Sequence, residues 1–351
     1  MTQPKHGNKE QTCISHHGAQ FKTTHYIPIP DEKCQEIKEE FFRLPSEKET
    51  YNELYNVHHG YTKIGNITDF YFSEYIYQTK LYSSKWSIKE FFESNDLIRF
   101  AYAKVQNNPE FYDDSSLIRN IRTVFRLSPS GTAAKVSNYP LKSVKQILKK
   151  YQKESAWGYY DYSCGWGVRL LGALAQGVKY SGTDPNTPLC KNLERMARDY
   201  NKVNNINNQY QIYNQGSEIL IPELVDNIGI AFSSPPYFNL EDYREGEQSI
   251  KDRNYEQWLE QYWRGTVQNI MLYLKSSGVM LLNIKSFKKY DLLNDMKDIC
   301  IEEGLVYKES LELKNIQRIQ LMNHDVSSDE QILVFRKPGY VEPSVDSLED
   351  W

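Results

Sequence analysis

Residues 158–176 read GYYDYSCGWGVRLLGALAQ. Gly158–Tyr162 is a short aromatic segment suited to a strand, and Arg169–Gln176 is a run of helix formers. Gly165 and Gly167 stand at the junction. A strand that turns through Gly-x-Gly into a helix needs glycine because the backbone must bend sharply and approach a ligand without a Cβ in the way. The third glycine of a dinucleotide fingerprint is absent, since Leu170 occupies its place. Glycine at such a turn serves packing as readily as binding, so the turn needs a second feature to acquire meaning. That feature is Asp184, seventeen residues after Gly167 in Ser181-Gly-Thr-Asp-Pro-Asn186. A carboxylate just past the second strand can accept hydrogen bonds from both hydroxyls of a ribose. Loop and acid together point to a nucleoside cofactor.

Outward from this stretch, strands and helices alternate. A helix begins at Pro140, with Leu141, Val144, Ile147 and Leu148 on one face. After the glycine turn come a strand at Tyr180–Thr183, a helix at Leu189–Tyr200, and strands at Tyr210–Tyr213 and Ile228–Phe232. A long amphipathic helix at Tyr255–Leu274, a strand at Val279–Ile284 and a helix at Leu292–Glu303 follow. Segments near Leu305–Leu313 and Gln331–Arg336 would close the domain as an antiparallel hairpin. The alternation predicts an α/β, doubly wound, Rossmann-like sheet, mostly parallel with that C-terminal hairpin. The domain is expected over residues 137–338. A smaller, mixed, aromatic-rich region is expected over 26–136, with loose ends at 1–25 and in the acidic tail 339–351.

Hydrophobic residues at 40% and charged residues at 25% predict a soluble globular protein with a substantial core. No apolar run approaches the length of a membrane span, and Met1–Gln20 lacks the apolar core of a secretory signal. A cytoplasmic protein is expected. Five scattered cysteines, without a Cys-x-x-Cys pair or a histidine cluster, predict neither a disulfide framework nor a metal site. The net charge is −4, yet between Arg99 and Lys153 eleven Lys and Arg face three acids. Arg119, Arg122 and Arg126 recur along one helical face, with Lys135 beyond them. This stretch is read either as a surface for nucleic-acid phosphates or as a solvated helix face.

Ile228–Phe232 runs almost directly into Ser234-Pro-Pro-Tyr237. Two prolines cannot sit inside a central strand, because neither offers an N–H to the ladder. They form a stiff corner at the carboxyl edge of the sheet, where ligands of open α/β sheets bind. Such a corner fixes the Ser234 hydroxyl and the Pro235 carbonyl as two neighbouring acceptors. An amino group has two hydrogens to give them. Pro236 stiffens the corner, and Tyr237 offers a flat face on which a base can stack.

The two segments resemble the motif pair of S-adenosylmethionine-dependent DNA amino-methyltransferases. That family carries Asp/Asn/Ser-Pro-Pro-Tyr/Phe and acts on adenine N6 or cytosine N4; its cofactor motif is commonly Asp-Pro-Phe-x-Gly-x-Gly. Ser137-Asn-Tyr-Pro-Leu-Lys142 is similar to the segment before that motif, Gln215-Gly-Ser217 to the adenine-contacting turn, and Glu330–Lys337 to the last strand. The likeness covers about Ser137–Pro338 and departs at Tyr162 and Ser163, where the family has proline and phenylalanine. Trp166 stands between the glycines as an alternative aromatic surface. The motif order is that of the γ group.

The resemblance implies S-adenosylmethionine as cofactor, contacted by Tyr139, Asp161, Ser163, Cys164, Gly165, Trp166, Gly167, Asp184, Pro185, Asn186, Gly216 and Ser217. It implies catalysis at Ser234, Pro235, Pro236 and Tyr237, on a base flipped out of DNA. Serine at the first motif position tilts the expectation toward cytosine N4. Recognition is placed in the N-terminal region, and a restriction or defence partner is implied. Two alternatives stay open: an RNA or protein-amide methyltransferase, and a nucleic-acid-binding protein with a degenerate cofactor pocket.

Overall fold

The computed structural model describes residues 12–14, 20–22, 29–81, 84–107, 116–127, 133, 136, 138–238, 240–243, 248–249, 253–285, 290–312 and 331–339. Thr12–Ile14 pairs antiparallel with Gln20–Lys22. Then come helices α1 (Asp31–Phe42), α2 (Glu47–His58), α3 (Gly65–Gln78), α4 (Ile88–Phe91), α5 (Asn95–Gln106) and α6 (Leu117–Leu127). Serine sets the start of two of them. At α2 the Ser46 hydroxyl accepts from Glu49 N–H at 3.3 Å while the Glu49 carboxylate accepts from Ser46 N–H at 2.8 Å. Ser87 and Glu90 build the same reciprocal cap on α4.

The described residues form two compact units. One takes those of Met1–Leu44, Ser73–Ser137 and Glu241–Arg244; the other takes those of Pro45–Phe72, Asn138–Leu240 and Glu245–Trp351. The first unit packs α1, α5 and α6 around aromatic rings, with Phe41 and Phe92 4.4 Å apart and Tyr77 5.5 Å from Phe41. Its Lys80–Leu81 pairs antiparallel with Glu241–Asp242.

The second unit is built on a seven-stranded sheet. Its strands are β1 (Tyr159–Asp161), β2 (Tyr180–Thr183), β3 (Tyr210–Tyr213), β4 (Ile228–Ser233), β5 (Leu274–Ile284), β6 (Val306–Glu312) and β7 (Gln331–Arg336). They lie in the order β6-β7-β5-β4-β1-β2-β3. All neighbours are parallel except β7, which runs antiparallel to both β5 and β6. This is the doubly wound, Rossmann-like sheet with a C-terminal antiparallel hairpin that the alternation of strands and helices predicts. Every residue of β4 is buried, as a parallel strand covered on both faces must be.

The helices of this unit are α7 (Leu141–Lys150), α8 (Gln152–Ser155), α9 (Val168–Ala175) and α10 (Thr187–Asn204), then α11 (Tyr255–Gln257), α12 (Gly265–Tyr273) and α13 (Leu292–Glu302). The single helix expected over Tyr255–Leu274 is broken by a π-helical segment at Trp258–Arg264, and Leu274 already belongs to β5. Residues 45–72 also lie in this unit: the Tyr71 hydroxyl donates to Asp199 of α10 at 2.8 Å, and His58 of α2 pairs with the Tyr200 hydroxyl at 3.1 Å.

The direction of winding changes between β1 and β4. From β1 the chain moves to β2 and β3 on one side; from β4 it moves to β5 on the other. The crevice for a ligand therefore opens past the carboxyl ends of β1 and β4. Among the described residues no helix is long and apolar enough to cross a membrane, and no group of His, Cys, Asp or Glu is arranged to hold a metal ion. Cys34, Cys164, Cys190 and Cys300 are free and buried.

Candidate active site

The glycine loop is held from below by a buried ion pair. Asp161, the last residue of β1, is fully buried and accepts from Arg169 Nε at 3.0 Å and from the Tyr180 hydroxyl at 2.9 Å. Arg169 also donates to the carbonyl of Ser163, and the Ser233 hydroxyl donates to that carbonyl at 3.2 Å. Asp161 thus anchors the loop from its underside. Cys164 lies beneath the loop as well, where burial pushes its thiol well above the usual range and keeps it un-ionised.

Gly167 caps α9 with φ +72°, and a Cβ there would stand 2.7 Å from Met196 Cε and 2.8 Å from Leu193 Cδ2. Conformation and packing therefore both require glycine. Gly165 N–H points to Asp184 Oδ2 at 3.4 Å and Asn186 N–H to Oδ1 at 3.0 Å, which joins the loop to the turn after β2. Trp166 and Asp184 are half-buried. Burial pushes the Asp184 carboxyl up to about 7, against the two backbone N–H groups that favour its charged form.

The other expected cofactor residues lie on this edge in different roles. Tyr139 sets its ring edge-on to Phe232 near the end of β4, at 5.7 Å, with the Arg169 guanidinium 5.9 Å from the ring centre. The Asn186 side chain caps α10 by accepting from Leu189 N–H at 3.1 Å. The Pro185 carbonyl takes a hydrogen bond from Asn214 at 3.0 Å. Ser217 is tied to α12 through the Thr266 hydroxyl at 2.7 Å and through its carbonyl to Asn269. Tyr162 is buried and donates to the Leu281 carbonyl at 2.8 Å, bracing the loop against β5.

Two side chains that the sequence reading did not single out lie beside these groups. The Tyr262 hydroxyl, carried by the π-helical segment, is buried without a hydrogen-bond partner. Its polar surroundings are Glu218, Ser217, Ser163 and Asp184; burial first, and then the Glu218 charge, push it above the ordinary range, so it remains a donor. One carboxylate oxygen of Glu218 is likewise buried and unpartnered, while the other lies 3.5 Å from Arg253. A Cβ on Gly216 would stand 2.2 Å from that unpartnered oxygen, so glycine there is what lets the carboxylate fold back. An acid two residues past Gly216 is a usable sequence signal. Tyr262 has none, because the π-helix alters the helical phase that sequence periodicity assumes.

Past β4 the chain enters the proline corner. The Ser234 hydroxyl donates to the Tyr237 hydroxyl at 3.1 Å, and the amide of Asn283 on β5 donates to both, at 3.2 Å each. Among the described residues no group donates to the Pro235 carbonyl. Phe238 then takes a left-handed conformation with φ +50°, which costs a bulky residue on the order of 1–3 kcal/mol. An aromatic cluster holds it there, with ring centres of Tyr290, Tyr255 and Trp258 at 5.1, 5.2 and 5.6 Å.

No protein-family model matches the chain, and no curated protein matches it. Among solved structures it is similar to a TehB-like SAM-dependent methyltransferase from Corynebacterium glutamicum, with 14% identity and a TM-score of 0.38 over 55% of this chain and 87% of that one. It is also similar to magnesium protoporphyrin IX methyltransferase from Synechocystis PCC 6803 with bound SAM, with 11% identity and a TM-score of 0.39 over 68% and 93%. A third is 1,6-didemethyltoxoflavin-N1-methyltransferase from Burkholderia thailandensis, with 9% identity and a TM-score of 0.37 over 56% and 77%. These likenesses concern the fold alone.

Of the four expected phosphate-binding residues, the side chains of Arg119 and Arg122 are described. Arg119 is exposed on α6. Arg122 is half-buried in the first unit, where it donates to the Phe41 carbonyl at 3.1 Å and lies over the Phe41 ring. The Arg126 side chain and Lys135 lie outside the described residues.

Proposed function

We propose that the chain transfers a methyl group from S-adenosylmethionine to the exocyclic amino group of a nucleobase in DNA, with cytosine N4 preferred over adenine N6. The observation that carries this reading is that the glycine loop and the proline corner meet at one switch point, where the hydroxyl of Ser233, just before the corner, donates to the Ser163 carbonyl of the loop at 3.2 Å. Asp184 suits ribose hydroxyls. The unpartnered Glu218 oxygen suits an amino group, and the Tyr262 hydroxyl suits a ring nitrogen or another acceptor. Left empty, two such buried groups would cost about 1–3 kcal/mol each; a nucleoside with an amino group answers both. When bound there, the cofactor supplies an electrophilic methyl on its sulfonium.

The residues of the corner prepare the acceptor. Ser234 Oγ and the Pro235 carbonyl each accept one hydrogen of the amino group, which draws its lone pair out of conjugation and makes the nitrogen nucleophilic. Tyr237 stacks on the base, which must leave the duplex to arrive there. The proton is released to solvent. No covalent enzyme intermediate is needed, which agrees with the un-ionised thiol of Cys164.

The test is nucleoside mass spectrometry of DNA and RNA incubated with the protein and methyl-labelled cofactor. Labelled N4-methylcytosine or N6-methyladenine from DNA is expected. Label confined to RNA or to protein would replace the DNA reading with the corresponding alternative.

A further inference from the structure

We propose that Asn283 is a positioning residue that fixes Ser234 as a hydrogen-bond acceptor toward the incoming amino group; this rests on the methyl-transfer reading above. The register of the sheet sets up the contact. Ser233 of β4 pairs with Leu282 of β5, so the next residues, Ser234 and Asn283, become neighbours at the carboxyl edge. Asn283 is fully buried within an otherwise apolar stretch of β5. A buried amide in such a strand is costly where its groups are not engaged, and the end of Asn283 that is hydrogen-bonded is its nitrogen.

The hydrogen bonds around it have a direction. The amide nitrogen of Asn283 carries two hydrogens and no free lone pair, so toward Ser234 Oγ and the Tyr237 hydroxyl it acts as donor. The Tyr237 hydroxyl gives its one hydrogen to the backbone carbonyl of Asn283, at 3.4 Å. A carbonyl can only accept. The bond between the two hydroxyls therefore runs from Ser234 to Tyr237.

Ser234 has then spent its hydrogen on Tyr237 and one lone pair on Asn283. One lone pair remains for a ligand, and that ligand must be a donor. Were the serine hydrogen free to turn outward, it would oppose an amino hydrogen and favour a hydroxyl or carbonyl instead. The backbone carbonyl of Asn283 thus sets the direction of the hydroxyl bond, and its side-chain nitrogen, which can only donate, holds Ser234 Oγ in that arrangement without touching the substrate.

Single-turnover transfer should be measured for wild type, Asn283→Leu, Ser234→Ala and the double variant, at saturating cofactor. Asn283→Leu is expected to lower the rate by about tenfold or more, with nucleic-acid KM and cofactor affinity within about twofold. On the Ser234→Ala background the same substitution should change the residual rate by less than about twofold, since it acts through that hydroxyl. An equal loss on both backgrounds, or a change in KM alone, would overturn the inference. Urea denaturation of the four proteins gives a readout that needs no activity: the two substitutions should be non-additive in stability. Additive stabilities would also overturn the inference. Non-additive stabilities in a wild type that transfers no methyl group would instead sink the methyl-transfer reading, and the role of Asn283 with it.

Discussion

At Asp184 two demands meet: the carboxyl is pushed up to about 7 by burial, yet under the proposed reading it would hold ribose hydroxyls best when ionised. The ionised fraction rises by about tenfold between pH 6 and pH 8 for a group with that pKa. Cofactor binding measured by calorimetry should therefore tighten by up to about tenfold over that range, and Asp184→Asn should bind weakly with no such slope. Stability has the opposite sign. Between the ordinary value of 3.8 and about 7 the folded state holds a proton that the unfolded chain has lost, so the contribution of this group to stability falls as pH rises through that window. Thermal melts of the free protein should show that fall, and Asp184→Asn should diminish it. Asp161 and Arg169 make a second case. Removing the guanidinium leaves a fully buried carboxylate alone, so Arg169→Met should cost about 3–5 kcal/mol in urea denaturation. The sequence reading made Asp161 an expected cofactor contact and did not foresee its pairing with Arg169, because nothing in the spacing from 161 to 169 marks a buried ion pair.

Elements were legible where their signal is local. The strands at Tyr180–Thr183, Tyr210–Tyr213 and Gln331–Arg336 have the expected bounds, since each is a short run closed by turn residues. The break in the helix over 255–273 was not legible, because an apolar pattern read at 3.6 residues per turn takes no account of a segment with wider turns. That segment brings Tyr262 beside Ser217, Ser163 and Glu218. Deleting the exposed Gln261, which would let the α-helical phase resume, should weaken cofactor binding by at least about tenfold while circular dichroism keeps the α/β signature. Unchanged affinity would separate Tyr262 from the pocket. At the start of α9, Gly167→Ala meets both the wrong φ and the Met196 and Leu193 side chains. It should destabilise by about 1–3 kcal/mol in chemical denaturation.

Across the whole molecule, the alternation of strands and helices implied a mostly parallel sheet, so both motifs could be placed at its carboxyl edge. Recognition could not. The basic run 99–153 contains Arg122, whose charge is engaged with Phe41, and a charge count does not distinguish such a residue from the exposed Arg119 beside it. Asn283 and Ser234 are 49 positions apart and meet only through the register of β4 and β5. A ligand that binds only the folded state stabilises it, by about 2.7 kcal/mol at a hundred times its Kd. S-adenosylmethionine should accordingly raise the melting temperature of wild type and much less that of Asp184→Asn. The most direct test mixes stoichiometric protein and cofactor bearing a CD3 methyl with DNA, then locates the label. All three deuteriums should appear together on an exocyclic base nitrogen with wild type and fall sharply with Ser234→Ala. A label on a ring carbon, or one transferred equally well by Ser234→Ala, would contradict an amino acceptor held at the proline corner.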